Sequence, residues 1–234
     1  MKAEKSKIAA SLVFPVIFLA LMWLVKIFEV ISGIDLTFLG IYPLKMKGLI
    51  GIITSPLIHN DFSHLAANSL PVLILGAAIF YFYKGISYKI FSLIYLLTGI
   101  WVWFGAREAY HIGASGLIYG MGAFLFVSGI IRRDNRLMAV SLVVIFIYGS
   151  LIWGIFPDFF PNRNISWESH LFGMMAGLIL ALYFRKAGPQ RKQYTWEFED
   201  EEDEEDYTAS LKSLHNEDTS IDIRYHYKAE EEDE

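Results

Sequence analysis

Six stretches of the chain stay apolar over most of the roughly 20 residues an α-helix needs to cross a hydrocarbon core of about 30 Å. They lie near 8–28, 62–83, 88–106, 115–131, 137–156 and 168–185, and short polar or charged clusters separate them. Such runs predict an all-α polytopic membrane protein with six transmembrane helices. The first run follows Lys2, Lys5 and Lys7, as the apolar part of a signal peptide would. It is long, however, and no small-residue cleavage site follows it, so it reads as a retained helix.

Composition agrees with the pattern: the 234 residues are 54% hydrophobic and 16% aromatic. With no cysteine, disulfides, thiol nucleophiles and thiolate metal sites are excluded. The net charge of -5 averages two unlike parts. Residues 1–192 carry 17 Lys/Arg against 8 Asp/Glu, a net +9, whereas residues 193–234 carry 3 against 17, a net -14. The chain therefore divides into a membrane-embedded domain, 1–192, and an acidic tail, 193–234. The tail's "EFEDEEDEED" has too few apolar residues to offset the cost of ordering it, so it is expected to be disordered.

Basic loops resist translocation, so their distribution orients the helices. With the N-terminus inside, Lys2, Lys5, Lys7, Lys84, Lys89, Arg132, Arg133, Arg136, Arg185, Lys186, Arg191 and Lys192 gather on the cytoplasmic side. Lys45, Lys47, Arg107 and Arg163 fall on the other, with Lys26 near that end of the first helix. Both termini are thus expected to be cytoplasmic.

Polar side chains at membrane depth are costly and mark function. His59, His64 and Asn68 surround the start of the second helix, Ser115 opens the fourth and His170 the sixth. Ser115 lies 17 residues from Arg132, His170 15 from Arg185 and Asn68 16 from Lys84. At about 1.5 Å per residue, those are heights of roughly 25, 22 and 24 Å above the cytoplasmic charges, with His64 a turn further at about 30 Å. A hydroxyl, an imidazole and a carboxamide from three helices then share one layer below the outer surface.

Each residue alone has a plainer reading. Gly116 and Gly120, and likewise Gly173 and Gly177, form small-x-x-x-small steps that bring helices close, and Ser115 could be one more packing position. His64 and Asn68, spaced i and i+4, could simply bond a neighbouring helix. His59 and His64 are five apart, which does not put two imidazoles on one helical face, and Asp61 and Glu168 sit at loop-helix junctions where solvation accounts for them. No metal, cofactor or nucleic-acid partner is expected. The shared depth favours chemistry: His170 could take the Ser115 proton, while His64, Asn68 and the Ser115 N–H, unpaired at a helix start, could stabilise an oxyanion. No acidic third member is evident, which makes the arrangement a Ser-His dyad.

The ordered motifs "HNDFSHLAAN", "GASGLIYG" and "SHLFGMMAG" resemble those of the rhomboid family of intramembrane serine proteases. The resemblance spans residues 8–185. It implies a short fourth helix surrounded by the others and a cavity open to the outside of a bacterial cell membrane. By position it makes Ser115 the nucleophile, His170 the base, His64 and Asn68 the oxyanion donors, and Tyr119 the ring packed on the catalytic histidine. Gly113 and Gly116 flank the serine in supporting places, and His59 matches a secondary position near the cavity mouth. Substrates would be transmembrane segments of other proteins, cut near their extracytoplasmic ends in the lipid bilayer. A Trp-Arg pair carried by many bacterial members in the first loop is replaced here by Ile50 and Gly51. A catalytically inactive relative that binds or escorts membrane clients would share the fold but need neither Ser115 nor His170. A transporter would call for internal repeats or carboxylates in the helix centres, and neither is seen.

Overall fold

The computed structural model describes residues 2–147 and 166–188. Within them the chain forms seven α-helices: α1 (Lys2–Ser32), α2 (Gly51–Thr54), α3 (Phe62–Phe82), α4 (Ser87–Gly105), α5 (Ser115–Arg132), α6 (Asn135–Ile147) and α7 (Trp167–Tyr183). Among the described residues there is no strand beyond one antiparallel bridge, Ile41 to His111. Four of the described helices, α1 from Glu4 onward, α3, α4 and α5, are long and apolar enough to cross a membrane. The end of the fifth expected span, to residue 156, and the acidic tail lie outside the described residues. The sixth expected span appears as α7, with 17 residues.

Helix α1 extends past the expected 8–28 at both ends, because flanking polar residues continue the same backbone hydrogen bonding. It leans on α3 where an added Cβ on Gly76 would stand 3.0 Å from the Pro15 ring. Much of its remaining surface, Val13, Ile17, Leu24 and Ile31 included, is exposed.

Helix α5 is the hub, packed on α3, α4, α6 and most extensively on α7. The two glycine steps are the reason. A Cβ on Gly173 would stand 1.9 Å from the Gly116 carbonyl oxygen, and one on Gly177 2.0 Å from that of Gly120. Backbone meets backbone at two successive turns, an approach that a side chain would prevent. At the far end of the bundle the buried Arg132 guanidinium donates to the Phe184 carbonyl at 2.6 Å and to that of Ala187. It also lies 5.4 Å from the Tyr83 ring centroid, so the C-terminal ends of α3, α5 and α7 meet around one cation.

The first loop is built of short helical turns that the periodicity did not reveal. One of its tight points is Gly51, where a Cβ would fall 2.2 Å from the Ile41 nitrogen. An arginine could not stand there. Gly48 is packed as closely on Tyr42, and Trp103 Nε1 of α4 donates to the Lys45 carbonyl at 3.1 Å. Backbone packing on glycine thus anchors this loop.

Candidate active site

Gly113, Ala114 and Ser115 make the turn into α5. Gly113 has φ +102°, a conformation suited to glycine, and its N–H donates to the Ser55 carbonyl at 2.9 Å, fixing the turn to the first loop. Ala114 is the N-cap, so Ser115 is the first residue of the helix, with its N–H among the orphan donors of the first turn. His170 lies in the first turn of α7, behind the N-cap Ser166. The close approach of α5 and α7 brings Ser115 Oγ to 2.8 Å from His170 Nε2. Tyr119, one turn along α5, stacks its ring on the His170 imidazole, centroids 4.3 Å apart and planes 11° from parallel. The buried imidazole is held by ring packing on one face and a hydroxyl at its edge.

Helix α3 begins at Asp61, whose carboxylate accepts the His64 N–H at 2.8 Å. That bond, followed by one from the Asn60 side chain, holds the exposed Asp61 carboxyl below its usual range. His64 and Asn68 then project from one face, and both reach Gly113. A Cβ on Gly113 would stand 2.8 Å from His64 Cε1 and 3.9 Å from Asn68 Nδ2. The two side chains therefore flank the residue two places before Ser115. Asn68 Nδ2 donates to the His64 carbonyl at 3.1 Å, leaving the second N–H of that amide for another acceptor.

His59 lies in the turn before α3, fully buried, its ring centroid 5.0 Å from that of His64. Burial, and secondarily the neighbouring His64, lowers its pKa to about 3. Its segment is held by Lys26 of α1, whose buried ammonium donates to the carbonyls of His59 at 3.0 Å and Asn60 at 2.9 Å and pairs with Glu29 at 3.0 Å. This lysine was legible as a charge near the outer end of α1 but not as a clamp on the turn that presents His64.

Glu168 corrects the sequence reading. It is buried rather than solvated, and its two carboxylate oxygens accept from Arg107 Nη1 at 2.9 and 3.0 Å. The cation comes from the loop that leads to Ser115 and the anion from the turn that carries His170. Also in that loop is His111, to which the sequence assigned no role. Its buried ring joins Ser166 Oγ at 2.6 Å to the Arg107 carbonyl at 3.0 Å. Among the described residues no group of three or more His, Asp or Glu side chains is placed to hold a metal ion.

Comparison with known proteins places the chain. The Rhomboid domain matches residues 47–187. A protein of Mycobacterium tuberculosis named only as uncharacterized is 37% identical over 183 residues, covering 75% of each chain. One of Mycobacterium leprae, also named as uncharacterized, is 33% identical over 186 residues, 75% of this chain and 71% of its own. The Bacillus subtilis protein YdcA, provisionally named a rhomboid protease, is 29% identical over 140 residues, 56% of this chain and 64% of its own. The helical architecture, the apolar spans and the match over residues 47–187 lead to one conclusion: this integral membrane protein belongs to the rhomboid family.

Proposed function

We propose that the protein is an intramembrane serine endopeptidase that cleaves transmembrane segments of other proteins with a Ser115–His170 dyad. The observation that carries this reading is the 2.8 Å contact between Ser115 Oγ and His170 Nε2. A serine hydroxyl is a weak nucleophile until a base takes its proton as it attacks. His170 Nε2 is within that reach, and the Tyr119 ring keeps its plane edge-on to the hydroxyl. Ser115 Oγ attacks the scissile carbonyl, and His170 takes the proton and returns it to the leaving amine. Water then hydrolyses the acyl-enzyme by the reverse proton traffic. The developing oxyanion is assigned to the side chains of His64 and Asn68 and the Ser115 N–H, which converge beside Gly113.

A substrate helix hides its carbonyls in its own hydrogen bonds and must unwind locally before it is cut. Glycine and other poor helix formers at the cut site lower that cost. The polar layer is assigned to the extracytoplasmic side and both termini to the cytoplasm, consistent with the distribution of Lys and Arg. Residues 193–234 are assigned to a cytoplasmic tail outside the catalytic unit.

The test is cleavage of a single-span reporter substrate by purified protein reconstituted in lipid. Wild type should cut it, and Ser115→Ala and His170→Ala should each reduce the rate on the order of 10³-fold or more. A wild type that cuts nothing, or a Ser115→Ala variant that cuts equally well, would refute the protease reading.

A further inference from the structure

The loop 106–114 delivers Ser115, while Ser166 starts the helix that delivers His170. The two are joined by more than the helix contact below them. Arg107 in the loop pairs with Glu168 in the first turn of α7. His111 closes the second link: its backbone pairs with Ile41 of the first loop in both directions, N–H to O at 2.8 and 3.0 Å, which leaves its ring to turn toward α7.

The proton order along this second link follows from donor and acceptor chemistry. A carbonyl only accepts, so His111 Nε2, 3.0 Å from the Arg107 oxygen, carries the proton. Burial, the largest influence on this imidazole, pushes its pKa down and favours the neutral ring. Nδ1 is then an acceptor and takes the Ser166 hydroxyl proton across 2.6 Å. With that proton committed, the Ser169 hydroxyl, 2.6 Å from Ser166 Oγ, is the donor to it. A directed chain runs from Ser169 through Ser166 and His111 to Arg107, from the residue beside His170 back into the loop before Ser115. Ser166 also accepts the Ser169 N–H at 3.4 Å as the N-cap of α7, so the hydroxyl that holds the loop also holds the start of the helix.

This link acts with the Arg107–Glu168 pair and the Gly113–Ser55 bond in fixing the outer end of the dyad. Ser115 is a first-turn residue two places after Gly113, and the His170 N–H reaches the Ser166 carbonyl only at a long 3.4 Å. A small displacement of the outer end of α7 relative to the serine loop would open the Ser115–His170 contact. A misplacement of about 1 Å in a reacting pair costs on the order of 10²-fold in rate.

We propose that His111 is a positioning residue: through its bond to Ser166 it ties the serine-bearing loop to the N-terminus of α7 and sets the separation between Ser115 and His170. This rests on the protease reading above. His111 touches neither reacting atom, and it acts by fixing the elements that carry them.

The experiment compares wild type with His111→Phe, which keeps a planar ring and removes both nitrogens, in lipid with a single-span reporter substrate. Two readings are taken per folded molecule: kcat and KM for cleavage, and the rate at which a fluorophosphonate probe labels Ser115. The expected result is a fall of about 10- to 100-fold in kcat and in labelling rate together, with KM changed by less than about 3-fold. If His111→Phe does not fold, the matched pair Ser166→Thr and Ser166→Val takes its place. Threonine keeps the hydroxyl and should keep the rate, whereas valine should lose it by the same factor. Unchanged kcat per folded His111→Phe molecule, or equal rates for Thr and Val at position 166, would overturn the proposal and leave His111 with a stabilising role only. A wild type that neither cuts nor labels would instead refute the underlying protease reading.

Discussion

Helices α1 and α5 are opposites. The span of α1 is the more apolar of the two, yet only 22% of it is buried, while α5, diluted by Ser115, Gly116, Gly120, Gly122, Ser128 and Gly129, is 67% buried. In water this would be paradoxical. In a bilayer the lipid is as apolar as leucine, so large aliphatic residues gain little by facing protein. Small and polar residues gain close contact and hydrogen bonds. The strongly hydrophobic helix is therefore the lipid-facing wall, and the glycine-rich one is the core that carries Ser115.

This contrast can be broken where α5 is tightest. Gly173→Val places methyl groups against the Gly116 carbonyl, where even one carbon has no room. It should cost about 3 kcal/mol or more in stability and separate Ser115 from His170, measured by thermal unfolding in detergent alongside reporter cleavage. A valine retaining full stability would show that α5 and α7 do not touch as described.

Next in size is the Arg107–Glu168 pair, which is asymmetric: the Glu168 side chain is 5% exposed and that of Arg107 47%. Removing the cation strands a buried carboxylate, whereas removing the anion leaves a guanidinium that water can reach. Arg107→Leu should destabilise by about 3 kcal/mol and Glu168→Gln by about 1 kcal/mol. The reverse order would mean that Glu168 is solvated in the folded protein.

His59 sharpens the comparison through pH. Its pKa is about 3 when folded against 6.5 for a free imidazole, so between those values the unfolded chain binds the extra proton. Stability from this group is full above about 6.5 and is lost as the pH falls toward 3, with a slope approaching about 1.4 kcal/mol per pH unit. His59→Leu should flatten the acid limb of a stability-pH curve by that amount, and an unchanged limb would count against a buried neutral His59. The smallest effect belongs to the lipid face of α1. There Ile17, 61% exposed, should tolerate alanine within about 0.5 kcal/mol.

Among the described residues, the four long apolar helices and the meeting of Ser115 with His170 were legible because both follow from one-dimensional rules: bilayer thickness sets run length, and residue rise sets position along each helix. Counting from Arg132 and Arg185 put Ser115 and His170 at one height, and the two are in contact. What escaped was everything that depends on which segment folds over which. The turns of the first loop are stabilised by Gly48 and Gly51 packing on distant backbone, which no periodicity encodes. Glu168 looked solvated because its partner lies 61 residues away. The Ser166 cap had a local signature, a serine ahead of an apolar run with an acid two residues on, and its bond to His111 had none.

The central claim is that Ser115 is a nucleophile activated by His170, and labelling by a fluorophosphonate probe tests it most directly, with no substrate needed. The account predicts covalent labelling of wild type at Ser115, none in Ser115→Ala, and labelling slowed by orders of magnitude in His170→Ala. A folded wild type that the probe leaves untouched, or a His170→Ala variant labelled at the wild-type rate, would contradict it.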